Sequence, residues 1–490
     1  MKRVFLINVG DRRPADSLHW HAWPSLGILT VGSLLQEIGW DVTLYDENIL
    51  GPIRLEDFVR SGDVVGLSLL ISSCERGLHL ANEAKKLGSQ YVILGNDQAA
   101  SRAKQILSQC PSVDGIFLGD NLDPIEKVFG CIAKISSLPV DGIAGFTRRD
   151  RNGIPALILA KPFHSLQFNK PDFKLYSQAY WERVWQNHQE LDGSEYSIDS
   201  TGIKNATIML ASGCAHGRNA CSYCSINEVG QMRWGDADYF LSLIEAYKNF
   251  GISTYYNVTD DFTGFPQLID KLYTAGVKFP NLIFYGRARS AMHRPKIFEN
   301  ILRLVDGGYA KVNCGLDSGS DLILQQGLNK GHGIRENKEL VLLAKKLGLH
   351  LHCSFIFGSP GENERSCQET LEFIEWMLGI LGKQVARIES DIFWAWHSAP
   401  SGRIFTSYEF ARGYAAMVGK DLPRVAWRRE FNIYQDSISL PWKVQLSFLR
   451  WFTRVDVDFV RDCNTNIRRL AEKYGVIYGI AHGANANVIK

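Results

Sequence analysis

Apolar positions in residues 1–150 keep two rhythms in turn. RVFLINVG, VVGLSLLIS, YVILGND and GIFLGDN are near-continuous apolar runs, and DVTLYDEN is a shorter one. Each reads as a buried strand. Between them SLGILTVGSLLQEIG, RLEDFVRSG, CERGLHLANEAKKLG, AASRAKQILSQ and DPIEKVFGCIAK space their apolar residues at a helical period. Strand cores separated by amphipathic helices predict an α/β domain, a five-stranded doubly wound parallel sheet covered on both faces. Its ligands belong at the carboxyl ends of the strands.

The rhythm stops over 151–205, where FNKPDFKLYSQAYWERVWQNHQE is aromatic and polar and reads as a connecting segment. It resumes over 206–398. ATIMLASG, ISTYYNVTDD, LIFYGRAR, YAKVNCGLD, HLHCSFIFG and VARIESDIFW are strands with helices between them. Six such units suit an open sheet or a (β/α)6 partial TIM barrel, and either places chemistry at the strand C-terminal ends. Residues 399–490 are rich in Trp and Arg, lack the alternation, and predict a small, mainly helical cap.

Composition narrows the class without naming a reaction. Hydrophobic residues are 45% and charged residues 22%, as in a soluble globular protein. A formal charge of +2 gives no reason to expect a nucleic-acid partner. No apolar run reaches the ~18 to 20 residues that span a bilayer. The basic, then briefly apolar start MKRVFLINVG is too short for a signal peptide and reads as a strand. The expectation is a cytoplasmic protein.

Of ten cysteines, only Cys214, Cys221 and Cys224 cluster, in SGCAHGRNACSYCSI directly after the first strand of the second unit. The other seven are scattered in apolar or helical surroundings and read as buried small hydrophobes. Three thiolates on one loop can hold three irons of a [4Fe–4S] cubane and leave the fourth open to a chelating cosubstrate. Zinc is the competing reading, because C-x2-C also makes zinc hairpins and His216 offers a fourth ligand.

The loop, with Tyr223 before its last cysteine, resembles that of the radical S-adenosylmethionine (SAM) superfamily, although the first gap is six residues (AHGRNA) in place of the family's three. VTDDFTGFPQLIDKL, CGLDSGSDLILQQGLNKGH and HCSFIFGSPGENERSCQETLEF follow in the family's order and resemble the subgroup with an N-terminal cobalamin-binding domain. The resemblance implies a [4Fe–4S] cluster on Cys214, Cys221 and Cys224. It implies SAM on the open iron, one-electron C–S cleavage, and a 5′-deoxyadenosyl radical that takes hydrogen from a substrate. By motif, Tyr223 lies near the adenine, Asp317 and Ser318 face the ribose and methionine portions, and Ile356 and Gly358 back the adenine. The same SGS and GSPGE stretches also suit turns and helix caps. Arg287 and Arg289 are placed to grip a carboxylate or to form surface ion pairs. Asp260 and Asp261 suit a substrate hydroxyl or amine, or a cap. Glu389, Asp391 and His397 are the acid/base candidates, with His397, close to Trp394 and Trp396, equally suited to packing.

PSLGILTVGSLLQEIGWDVTLYDEN and the Ser68-Leu69-Leu70 element resemble a cobalamin-binding domain. There is no Asp-x-His-x-x-Gly, which excludes a histidine ligand to cobalt from that motif. The fourth strand ends Gly95-Asn96-Asp97 where such domains commonly have Gly-Gly, and a Cβ there narrows the contact. The sequence therefore favours a vestigial domain over a working one and leaves cobalamin open. His19, Trp20, His21 and Trp23 either fill a corrin's space or stack on one. The acidic strand ends predict a small polar substrate, with dehydration of an aminosugar diol in natural-product biosynthesis preferred and cobalamin-dependent methylation second. A non-catalytic metal- or cobalamin-binding regulator is the third reading. The chemistry implies a flavodoxin or ferredoxin electron donor, with no nucleic acid or membrane involved.

Overall fold

The computed structural model describes residues 2–10, 23–70, 72–119, 122–139, 142–150, 152–156, 170–191, 204–216, 221–224, 232–396, 399–432, 434 and 442–480. The described residues form two compact units, one from those up to 190 and one from those from 191 onward.

In the first unit β1 (Arg3–Asn8), β2 (Asp41–Asp46), β3 (Val64–Ser68), β4 (Tyr91–Gly95) and β5 (Gly115–Phe117) are parallel. The sheet order is β2-β1-β3-β4-β5-β6-β7. The last two strands, β6 (Phe146–Arg149) and β7 (Pro155–Ala156), are antiparallel additions that the sequence did not predict. They are too short to show a period. Gly115 is required at this join, because a Cβ there would lie 2.2 Å from the Phe146 ring.

The described part of the aromatic connecting segment is packed. Its helix Gln178–Leu191 belongs to the first unit, where Tyr176, Tyr180 and Trp181 are buried. Trp181 Nε1 donates to the Phe173 carbonyl (2.8 Å), and Tyr180 hydroxyl donates to Asp46 Oδ2 (3.3 Å). Burial of those rings decides the assignment, since each removes a large apolar area from water.

In the second unit β8 (Asn205–Ile208) leads to a small antiparallel pair, β9 (Ala211–Ser212) with β10 (Arg233–Trp234). β11 (Thr254–Asn257), β12 (Asn281–Tyr285), β13 (Ala310–Asp317), β14 (His350–Phe357) and β15 (Val385–Ile392) follow. β16 (Ile477–Ile480) completes a parallel sheet of order β16-β15-β14-β13-β12-β11-β8. Tyr256 of β11 and Glu389 of β15 stand four strands apart, yet the carboxylate contributes to raising the buried tyrosine's pKa. A parallel sheet with helices between its strands is the arrangement expected of a partial barrel. The seventh strand is added to the six expected ones by the mainly helical C-terminal region. Helices Tyr408–Met417, Arg424–Glu430, Trp442–Phe452 and Val457–Tyr474 intervene, and the last delivers IYGI beside β15. Four helices without a strand between them hide the return in the sequence pattern.

Candidate active site at the cysteine loop

The cysteine loop leaves the carboxyl edge of the barrel after β9 and is tied down on both sides of its long gap. Gly213, at φ +103° where a side chain is disfavoured, donates its N–H to Asp260 Oδ2 (2.9 Å) beyond the end of β11. On the far side Ser222 donates its N–H to Leu328 O (2.9 Å) and its hydroxyl to Gly327 O (2.8 Å). Ser401 N–H donates to Ser222 O (2.9 Å), and Cys224 N–H to Cys221 O (3.0 Å). Residues 217–220 of the gap lie outside the described residues.

A turn at Asn329-Lys330-Gly331 holds the middle. His216 Nε2 donates to Asn329 O (2.7 Å), a carbonyl that can only accept, which leaves Nδ1 buried with no hydrogen-bond partner. Arg287 donates from Nη2 to Lys330 O and places Nη1 3.4 Å from Cys214 Sγ. Arg289 Nη1 donates to Gly331 O (3.4 Å). Three consecutive carbonyls are thus gripped by three side chains. Gly331, at φ +70°, has no room for more, because a Cβ would lie 2.1 Å from His216 Cε1.

Lys330's own side chain turns to the end of β13. Its Nζ lies 2.6 Å from Asp317 Oδ2 and 3.0 Å from Tyr223 OH, and Tyr223 OH donates to the same Asp317 oxygen (2.6 Å). Burial, then the neighbouring Asp317, pushes the Tyr223 phenol well above its ordinary pKa, so it stays protonated. Asp317 sits at φ +60°, a backbone state uncommon outside glycine that concentrates at functional sites.

The predicted cofactor residues divide. Tyr223 and Asp317 meet, but through each other and Lys330. Ser318 is buried with its hydroxyl 3.0 Å from Thr370 Oγ1. Gly358 (φ +76°) donates its N–H to Glu362 Oε2, and Leu449 of the C-terminal region packs where its Cβ would stand. Ile356 and Tyr223 pack on one apolar cluster that includes Phe393, Ile404 and Phe448. Asp261 is fully buried, its Oδ1 accepting from Thr263 Oγ1 (2.6 Å), and burial raises its pKa despite that bond and Arg287. Burial and then Asp261 push the Cys214 thiol up, with Arg287 pulling against them.

Inside the barrel Glu389 lies 3.3 Å from His352 Nε2 and 3.9 Å from Arg387 Nη1. Tyr256 and Tyr285 hydroxyls share a hydrogen bond, and Asn313 Nδ2 donates to Tyr256 OH (3.2 Å). Asp391 is also buried, its Oδ1 accepting from the Ile392 N–H (2.7 Å). His397 lies outside the described residues. Sequence reasoning missed Lys330 and His352. Lys330 lies in the NKG stretch, read only as a turn, and His352 occupies the less deeply buried register of β14.

Three thiols on one anchored loop, with a guanidinium at one sulfur, suit a cluster whose charge needs an adjacent cation.

Comparisons with known proteins agree. Residues 208–374 match the model of the radical SAM superfamily. An uncharacterized methyltransferase of Pyrococcus horikoshii is 22% identical over 360 residues, 71% of this chain and 72% of that protein. The cytidylyl-2-hydroxyethylphosphonate methyltransferase of Streptomyces wedmorensis is 22% identical, covering 76% of this chain and 77% of its own length. Among solved structures, the radical SAM methyltransferase TsrM of Kitasatospora setae, with cobalamin and a [4Fe–4S] cluster bound, superposes with TM-score 0.60 at 14% identity over 85% of this chain and 76% of that one. The cobalamin-dependent SAM radical enzyme OxsB gives 0.57 at 18% identity over 76% of this chain, which spans about half (52%) of that structure. At such identities the superpositions speak for the fold. The family match identifies a radical SAM domain over residues 208–374, and the fold around it is similar to that of the TsrM and OxsB structures.

Proposed function

We propose that this enzyme is a cobalamin-dependent radical SAM methyltransferase acting on a small polar substrate. The carrying observation is a cleft of about 220 Å³ in the first unit. It lies between β3–β5 and the helices Leu26–Glu37 and Asp123–Ile135, walled by Ile28, Leu67, Ile93, Phe117 and Ile125. A Cβ added at Gly27 or Gly95 would meet nothing within 4 Å, so open space lies beside both. An apolar slot at the carboxyl edge of a doubly wound sheet suits a flat aromatic base. Asn96 does not close it. Its backbone takes the glycine-like φ of +77°, and its amide donates to Ser68 Oγ (3.2 Å). This supports a working domain over the vestigial one favoured from sequence. Relatives named as methyltransferases move the reading from dehydration to methylation.

When bound, the cluster, SAM and cobalamin would supply one-electron C–S cleavage and a methyl donor. Cys214, Cys221 and Cys224 would hold the cluster, with Arg287 donating to Cys214. Tyr223, fixed by Asp317 and Lys330, would form one wall beside it. Within the barrel His352 can hold a proton at Nε2 against Glu389, the group best placed to take or return one.

Anaerobically reconstituted protein given SAM, hydroxocobalamin and a strong reductant tests this. The expected result is stoichiometric corrin absorbance, 5′-deoxyadenosine, and S-adenosylhomocysteine, the product left when the methyl group is handed on. Deoxyadenosine without corrin or S-adenosylhomocysteine would return the reading to direct radical chemistry such as dehydration.

A further inference from the structure

The radical SAM reading requires electrons to reach the cysteine loop one at a time from outside, and the loop's surroundings are unevenly charged. The whole chain carries +2, yet residues 287–303 hold Arg287, Arg289, Arg294, Lys296 and Arg303 against one carboxylate, Glu299. The series starts at the thiol, with Arg287 Nη1 3.4 Å from Cys214 Sγ. Exposed Arg289 follows, on the Gly331 carbonyl beside His216. Helix Ala288–His293 packs against helix Ile334–Leu347, and Arg294, Lys296, Arg335 and Lys338 are all exposed around that pair. Among the described residues no carboxylate pairs with Arg294, Lys296 or Arg335. Glu336, the nearest in sequence to Arg335, caps Gly333 N–H (3.0 Å) and faces His293 (3.8 Å).

Two of these cations sit where their own helices disfavour them. Lys296 is the first residue of helix Lys296–Leu302, and Arg335 the second of Ile334–Leu347. A helix N-terminus is the positive end of the macrodipole and favours carboxylates. Glu299 and Glu336 stand in those same first turns, and Asp321 Oδ1 accepts the Ile334 N–H (2.8 Å), so the helix starts are satisfied by other groups and the cations stay turned to solvent.

We infer that this face docks a small acidic one-electron carrier, a flavodoxin- or ferredoxin-type protein, against the cysteine loop. The inference rests on the radical SAM reading. One electron passes per encounter: a flavin hydroquinone becomes the semiquinone, or a reduced iron–sulfur centre its oxidised form, while the resident cluster goes from 2+ to 1+. Opposite charge on the two partners raises the encounter rate and fixes orientation, with steep dependence on salt.

The test uses the full-length reconstituted protein with SAM and the triple variant R294E/K296E/R335E. Formation of 5′-deoxyadenosine is driven in parallel by flavodoxin hydroquinone, by reduced ferredoxin and by titanium(III) citrate. Wild type should respond to a protein carrier with a rate that falls as salt rises. The variant should lose about tenfold or more of that rate at low ionic strength, lose its salt dependence, and keep its titanium-driven rate. Lys296→Glu and Arg335→Glu place carboxylates where helices favour them, so the fold should survive. Equal carrier-driven rates in both proteins overturn the inference. So does an equal loss with titanium, or a wild type that neither carrier can serve. Capture of tRNA by wild type and not by the variant, with carrier rates unchanged, assigns the face to nucleic acid and also overturns it. A wild type that makes no 5′-deoxyadenosine with titanium refutes the radical SAM reading underneath.

Discussion

The two parallel sheets of this chain end in edges of opposite character. At the first, Gly66, Gly95 and apolar side chains frame a slot, and the polar groups there, Ser68 and Asn96, bond to each other. At the second, Asp317, Lys330, Tyr223 and Arg287 interlock around the thiols, with Asp261 buried beside them. The first edge offers shape and apolar walls. The second offers charges held at set positions, where removing one member strands another in a medium of low dielectric. The same parallel architecture therefore supports two kinds of recognition, and each should fail in its own way.

The charged edge should fail hardest. Lys330→Met leaves Asp317, whose side chain is only 2% exposed, without its cation. Removing one partner of a buried pair costs about 3–5 kcal/mol. Denaturant unfolding followed by probes in each unit should show the barrel transition moving to lower denaturant and the first unit's staying in place. Adding Asp317→Asn should recover part of the loss, because the stranded charge is then gone. Recovery of nothing would mean that Lys330 acts through packing alone.

How much of each edge the sequence discloses follows from the same contrast. Strand cores such as VVGLS and YVILG are legible because burial on both faces demands continuous apolar runs. So is the loop's chemistry, because Cys221, Tyr223 and Cys224 are close in sequence. β16 is not legible, since it pairs with β15 from 90 residues away, Arg387 with Ile477. Neither is Lys330, whose partners Tyr223 and Asp317 come from other elements. Arg287, which the sequence offers to a carboxylate or to a surface ion pair, donates to Lys330 O and stands 3.4 Å from Cys214 Sγ, contacts that the NKG turn creates across the fold. The slot in the first unit was underestimated for a related reason. A Gly-to-Asn difference reads as a lost contact, and only the backbone shows Asn96 in the conformation glycine would take.

The apolar edge should lose binding without losing stability. Gly95→Val puts two methyl groups into open space at a strand end whose φ suits any residue. Filling part of the slot should weaken corrin uptake by about ten- to a hundredfold, or ~1.4–2.7 kcal/mol. The melting temperature should hold or rise slightly, since cavity filling tends to stabilise. Corrin absorbance after hydroxocobalamin titration and desalting reads the first, and thermal unfolding the second. Full uptake by the variant would show that the slot is not where the ligand binds.

The smallest effect tests whether charge at the second edge reaches the cluster electronically as well as structurally. Hydrogen bonds to cluster sulfurs and nearby positive charge both favour the reduced form and raise its potential. Arg287 supplies both at Cys214. Arg287→Met should lower the cluster midpoint by roughly 40 mV, which is one net hydrogen bond of about 1 kcal/mol carried by one electron. Arg287→Lys keeps the charge but lacks the planar fork that also holds Lys330 O, so it should recover only part of the shift. An EPR-monitored redox titration reads all three proteins, and corrin uptake should be the same in each, because the first edge does not depend on this charge. An unchanged midpoint in Arg287→Met would confine Arg287 to bracing the NKG turn. The difference between the two edges would then lie in how they hold their ligands, with no part in how the cluster is tuned.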